Sequence, residues 1–233
     1  MSDHTRSIGL YAVAAALASL FITPLLGLAY FATEHGREEL ETGSISAWAE
    51  PARDAAGSLL TFAGPDRVYS TYLQAFAVFF PAVLLTALLV RSRWASQSRR
   101  PGRWAWRVAL GGYALLATGV TSIGLVLIAG NPSSPVVDPL FMGLLFPGIL
   151  FSTTGSTALG IGLLRSGYRP RVTAWLLALA FPLWIVGDFV IGHNSIGLVP
   201  LMLAWGATGL EFWRLGDRTP ASKLATTAAA ERG

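Results

Sequence analysis

The chain of 233 residues contains no cysteine. Disulfides, thiolate metal sites and thiol nucleophiles are therefore excluded. Charge is scarce as well: Asp, Glu, Lys and Arg make up 13% of the residues, about half the share of a soluble domain. Only one of the seventeen basic residues is lysine, and histidine occurs three times. Familiar catalytic signatures are missing: there is no HExxH, no GxSxG, no Walker loop and no strand-borne GxGxxG. No paired carboxylates stand in the middle of an apolar run. The formal net charge is +4, but no basic patch interleaved with base-stacking aromatics occurs away from the ends of the apolar runs. Nucleic-acid binding is not expected.

Apolar sequence takes the place of charge. The mean hydropathy is +0.53 and 53% of residues are hydrophobic. Six runs approach the ~20 residues that a bilayer core requires: about 8–31, 72–90, 108–129, 139–164, 172–191 and 196–213. Their polarity does not alternate, which argues against a barrel. Backbone groups in lipid must bond within their own segment, so the runs predict helices. The expected fold is all-α: a polytopic membrane bundle of six transmembrane helices forming one domain over 1–214, with a disordered cytoplasmic tail over 215–233. The first run is longer than the apolar core of a signal peptide and reads as an uncleaved span.

Arginine sets the expected orientation. The stretch Arg91–Arg107 carries six arginines and no acid between two apolar runs. Such a loop belongs on the cytoplasmic side, facing anionic headgroups, with Trp94, Trp104 and Trp106 as interfacial anchors. Arg6, Arg165, Arg169, Arg171, Arg214, Arg218, Lys223 and Arg232 fall on the same side of a six-span threading; Arg37, Arg53 and Arg67 fall opposite. Both termini are then cytoplasmic, in an inner membrane.

Residues 32–70 form one long outer loop, with seven of the thirteen acids. Within it Trp48, Ala52, Ala55, Ala56, Leu59 and Leu60 recur at helical spacing, predicting an amphipathic helix. Ser46 is a candidate cap, with Pro51 pushing the helix start later. Gly64–Pro65 ends the run, and Ser70 is a candidate cap for the second span.

Helices in lipid associate through small residues. Gly148, Ser152, Ser156 and Gly160 lie four apart and predict a packing face in the fourth span; Ala114, Thr118 and Ser122 predict one in the third. The adjoining threonines could line a polar path, but such hydroxyls commonly bond back to their own helix. Arg100, Pro101, Ala105 and Trp106 repeat as Arg169, Pro170, Ala174 and Trp175, suggesting that spans two–three and four–five are duplicated hairpins.

Ionisable groups inside a span point to function. Asp188 lies about one turn from the outer end of the fifth span, followed by His193 and Asn194; Gln74 lies near the same face. These four are the candidate ligand contacts. Asp188, His193 and His35 are weak candidates for a metal, at a spacing that matches no known ligand motif. No cofactor is expected. The plain reading of Asp188 is a hydrated interfacial carboxylate.

The stretches FAGPDRVYSTYLQ and GHNSIGLVPLMLAWGATGLEFWR, with the two Arg-Pro turns, broadly resemble multi-pass membrane proteins of actinobacteria and similar bacteria. That loose resemblance implies a bacterial inner-membrane protein and supplies no activity or functional residue. The leading expectation is a non-enzymatic accessory or regulatory component, acting through a membrane-protein partner or a homo-oligomer. The alternative is a small-solute permease or ligand binder using the outer end of span five.

Overall fold

A computed structural model describes residues 3–41, 45–94, 100–128 and 135–230. Every regular element among them is helical. Five helices are long and apolar enough to cross a membrane: α1 (Asp3–Tyr30), α5 (Pro65–Trp94), α6 (Arg100–Ile128), α8 (Phe146–Arg165, prolonged by α7, Val137–Leu140, and a π turn, Phe141–Leu145) and α11 (Val199–Ala230). A sixth apolar stretch is broken into α9 (Arg171–Ala178) and α10 (Ala180–Ile191), which meet at 54°. The helices thus begin or end a turn or two beyond their apolar cores. In α11 the backbone helix continues over 215–230, where the sequence suggests an unstructured tail.

The break in the fifth stretch has a chemical cause. Pro182 has no N–H and its ring collides with the carbonyl four residues back, at Ala178. The helix gives way at Leu179 (φ −95°, ψ 1°). The Phe181 N–H, displaced from its own ladder, donates to Thr157 Oγ1 of α8 at 3.1 Å. A side chain of the neighbouring helix thereby satisfies a donor that lipid could not. The third span, α6, runs unbroken, so the two hairpins proposed as a duplication differ at this point.

Close backbone approach builds the bundle. At Gly112 on α6 an added Cβ would stand 2.6 Å from the Phe151 carbonyl carbon of α8; at Gly155 on α8 it would stand 2.7 Å from Ala109 Cα. Gly160 faces the Ala174 carbonyl of α9 at 2.7 Å, and Gly9 and Gly209 bring α1 and α11 together at 2.6 Å on the same measure. Gly148, Ser152, Ser156 and Gly160 are all buried, Gly148 against α6 and Gly160 against α9. The third-span stripe is a correction. Ala114 and Thr118 point outward, and α6 instead turns Gly112, Tyr113, Leu116 and Gly119 to α8. Alanine and serine are small, but only glycine admits a backbone this close, so the glycines choose the face.

Buried hydroxyls lock this seam. Trp205 Nε1–H of α11 donates to Tyr113 Oη at 3.2 Å, and Tyr113 Oη lies 2.5 Å from Ser156 Oγ. Ser156 donates in turn to the Ser152 carbonyl. A carbonyl can only accept, so the protons run one way, from Trp205 through Tyr113 and Ser156. Thr153 and Thr154 bond back to Ile149 and Leu150 carbonyls at 2.7 and 2.6 Å.

The 32–64 segment folds over one end of the bundle as three short helices: α2 (Glu34–Glu41), α3 (Ser46–Ala56) and α4 (Ser58–Thr61). Thr33 caps α2 by accepting from the Gly36 N–H at 3.2 Å. Ser46 is the first residue of α3 rather than its cap, and Pro51 is accommodated inside at the loss of one ladder bond. The Trp48 ring meets Phe31 edge-on at 6.0 Å, and Tyr72 Oη donates to the Leu59 carbonyl at 2.7 Å. Helix α5 starts at Pro65, seven residues before the apolar run. Ser70 therefore lies within it, bonded back to Arg67. Proline is well suited to a first helical position, where its missing donor costs nothing.

Gly111 and Gly112 separate packing from propensity, since a Cβ at Gly111 meets nothing within 4 Å. Gly112→Ala is expected to destabilise the protein by about 1–3 kcal/mol, with Gly111→Ala neutral or slightly stabilising. Thermal unfolding of both variants in mild detergent checks this; equal behaviour would remove the close-contact account.

Candidate functional site

At the end covered by the 32–64 segment, a cavity of about 740 Å³ opens between α1, α5, α6, the π turn and the α10–α11 connection. Helix α5 supplies one wall. Asp66, Tyr69, Leu73, Phe76 and Phe80 line it at spacings of three and four, a continuous helical stripe. Across from them stand Val120 and Ile123 of α6, with Leu145 and Ile149 closing the inner end. The interior is thus apolar and aromatic.

The mouth is polar and acidic. Glu34, Asp66 and Asp188 all line it, and among the described residues no lysine or arginine does. Glu34 arrives through the Thr33 cap at the α1–α2 junction. Asp188 arrives through the end of α10, where Gly192 takes the left-handed conformation (φ 72°) and its N–H donates to the Asp188 carbonyl at 2.8 Å. Glycine adopts that conformation without strain. A side chain there would also run into Ile45 and the Phe31 ring.

This turn carries His193 into an aromatic clasp, with ring centroids 5.0 Å from Tyr30 and 6.4 Å from Tyr69. The Ser195 backbone N–H donates to His193 Nδ1 at 3.3 Å, with Ser195 Oγ 2.6 Å away. A backbone N–H can only donate, so Nδ1 accepts and the ring proton resides on Nε2. Burial acts in the same sense, pushing the imidazole down to about 4. The ring is neutral at physiological pH, and the mouth keeps a negative balance.

The structure brings Asp188, His193 and Asn194 together on this cavity. It does not bring Gln74, which does not line the cavity; a Cβ added at Gly124 of α6 would stand 3.8 Å from Gln74 Cγ. His35 lies in α2, but its side chain is outside the described residues. Among the described residues no three His, Asp or Glu side chains converge as metal ligands do. Sequence reasoning missed Tyr30, Tyr69, Asp66 and Glu34. The signal was present for Asp66 and Tyr69, which continue the Leu73–Phe76–Phe80 stripe backward once α5 is started at Pro65.

Stability should carry the imprint of the clasped imidazole. Between pH 6.5 and about 4 the unfolded chain binds a proton at His193 that the folded chain refuses. Stability is expected to fall as pH drops through that window and to level off below it. His193→Asn keeps an acceptor for the Ser195 N–H and cannot titrate, so its unfolding temperature is expected to depend less on pH. An unchanged slope would remove His193 as the cause.

No family model, no curated protein and no solved structure matches the chain.

Proposed function

We propose that the protein is a multi-pass membrane protein that binds a small organic cation with an apolar body in the cavity beside His193. The observation carrying this reading is the pairing of three mouth carboxylates with an aromatic and aliphatic interior and no lysine or arginine among the described lining residues. A cation gains from Glu34, Asp66 and Asp188, and from the faces of Tyr30 and Tyr69. Its apolar part gains from leaving water for the wall formed by Phe76, Phe80 and Ile149. The cavity is long enough to reach from the bundle's end into its interior, as a permease or a ligand sensor requires.

The bent α9–α10 pair is counted here as one span, giving six with both termini cytoplasmic. The positive-inside rule supports this threading: fourteen basic residues fall with the termini and three opposite. The cavity then opens on the outer face of a bacterial inner membrane. A reporter active only outside the cytoplasm should be silent when fused after Gly233; an active fusion would overturn the orientation.

A second reading, as an accessory or regulatory component, rests on one observation. Leu59 and Phe62 are more than half exposed on the 32–64 cap, at 53% and 55%, where a partner could seat.

Binding of tetraphenylphosphonium to the purified protein in mild detergent tests the first reading. Asp188→Asn and Asp66→Asn are each expected to weaken binding about tenfold, about 1.4 kcal/mol. A neutral compound of the same shape should bind less well. Equal binding of the neutral compound, or of the cation to both variants, would reject it and leave the second reading. Wild-type flux in proteoliposomes separates a permease from a sensor.

A further inference from the structure

A second cavity, of about 760 Å³, lies at the opposite, arginine-rich end of the bundle. Arg93 reaches it from the last turn of α5, Arg169 from the turn between α8 and α9, and Arg171 from the first residue of α9. Glu211 of α11 is the one acid among the described lining residues. Three exposed arginines, Arg93 distant in sequence from the other two, therefore line one cavity together with Glu211. Like charges so gathered repel, and an anion between them removes the cost.

Two features give this cluster a built floor. Arg93 is held in place: its Nη2 donates to Thr5 Oγ1 at 3.4 Å, and its guanidinium lies 4.8 Å over the Phe212 ring. Beneath, Thr173 donates to the Ala204 carbonyl at 2.9 Å, so Thr208 donates to Thr173 at 2.9 Å and Tyr168 donates to Thr208 at 3.2 Å. Each hydroxyl proton of that chain is thus committed to an acceptor within the protein. The donors left to meet an anion are the arginine forks. Beside them Val90 and Phe212 form an apolar wall.

We propose that this cavity binds a phosphate-bearing anion, gripped by Arg93, Arg169 and Arg171. Guanidinium forks match phosphate oxygens in pairs, which lysine cannot do. A phospholipid headgroup would place its phosphate among the arginines and its chain along Val90 and Phe212. Free phosphate would use the arginines alone. The site is independent of the cation cavity at the other end.

Thermal unfolding of the full chain in neutral detergent tests this with three probes: short-chain phosphatidylglycerol, phosphatidylcholine with the same chains, and inorganic phosphate. Saturable stabilisation by phosphatidylglycerol alone assigns the site to anionic lipid; equal stabilisation by inorganic phosphate assigns it to the free anion. No stabilisation by either overturns the proposal. Arg169→Gln/Arg171→Gln is expected to lose the effect, and Arg103→Gln/Arg107→Gln, with the same net charge, to keep it. Equal loss in both pairs would mean general charge attraction and would also overturn it. Should the first pair fail to fold, Arg169→Lys/Arg171→Lys carries the test: a stabilisation midpoint raised at least about fivefold supports fork recognition, and a wild-type midpoint refutes it.

Discussion

The bundle depends on backbone-to-backbone contact at its glycines. Lipid tails are as apolar as leucine, so burying a leucine between two membrane helices gains little over leaving it in lipid. What holds such helices is dispersion at close range and hydrogen bonds that lipid cannot offer. Gly112 and Gly155 let α6 and α8 meet at that range. The Trp205–Tyr113–Ser156 chain then ties α11 to the same seam with bonds directed one way. Both cavities are lined on one side by α5, and none of the described α5 residues lining them is glycine.

The two ends of the molecule are built on opposite electrostatic plans. One has Glu34, Asp66 and Asp188 at a mouth where His193, the one basic side chain among the described lining residues, is kept neutral by burial. At the other, Arg93, Arg169, Arg171 and Glu211 line one cavity. Apart from Glu211, which lies within α11, these charges lie at or near helix ends and turns. That placement follows from the solvent: charge is tolerated where water or headgroups reach it, and a hydroxyl is tolerated deeper only when bonded.

The broken α9–α10 segment shows how an apolar helix can lose continuity without leaving a bare donor. Pro182 forces the break, and Thr157 on α8 receives the orphaned Phe181 N–H. Gly160, one turn further along α8, admits the neighbouring segment at Ala174 and Ala178. The kink and its remedy are thus on different helices, and the neighbour that repairs the break is also the one that packs closest to it. From that joint α10 runs outward to deliver Asp188 and His193 to the cavity.

Composition and hydropathy alone determined that the chain is helical and that several of its helices can cross a bilayer, because those properties are sums over a window and need no neighbour. They also made Gly148, Ser152, Ser156 and Gly160 legible as a stripe of small residues, since one helix's own period creates it. Tertiary structure decided what each stripe meets. Ala114 and Thr118 satisfy the same period yet point outward, because helix rotation is chosen by the closest-fitting partner. Asp188, His193 and Asn194 could be read as neighbours along one turn. Tyr30, Glu34, Asp66 and Tyr69 could not be assigned to the same cavity, because nothing in local sequence tells where the ends of α1 and α5 converge. Arg93 lies 76 positions before Arg169 and 78 before Arg171. A shared anion site between them belongs to the packing of α5 against α11, which no single segment encodes.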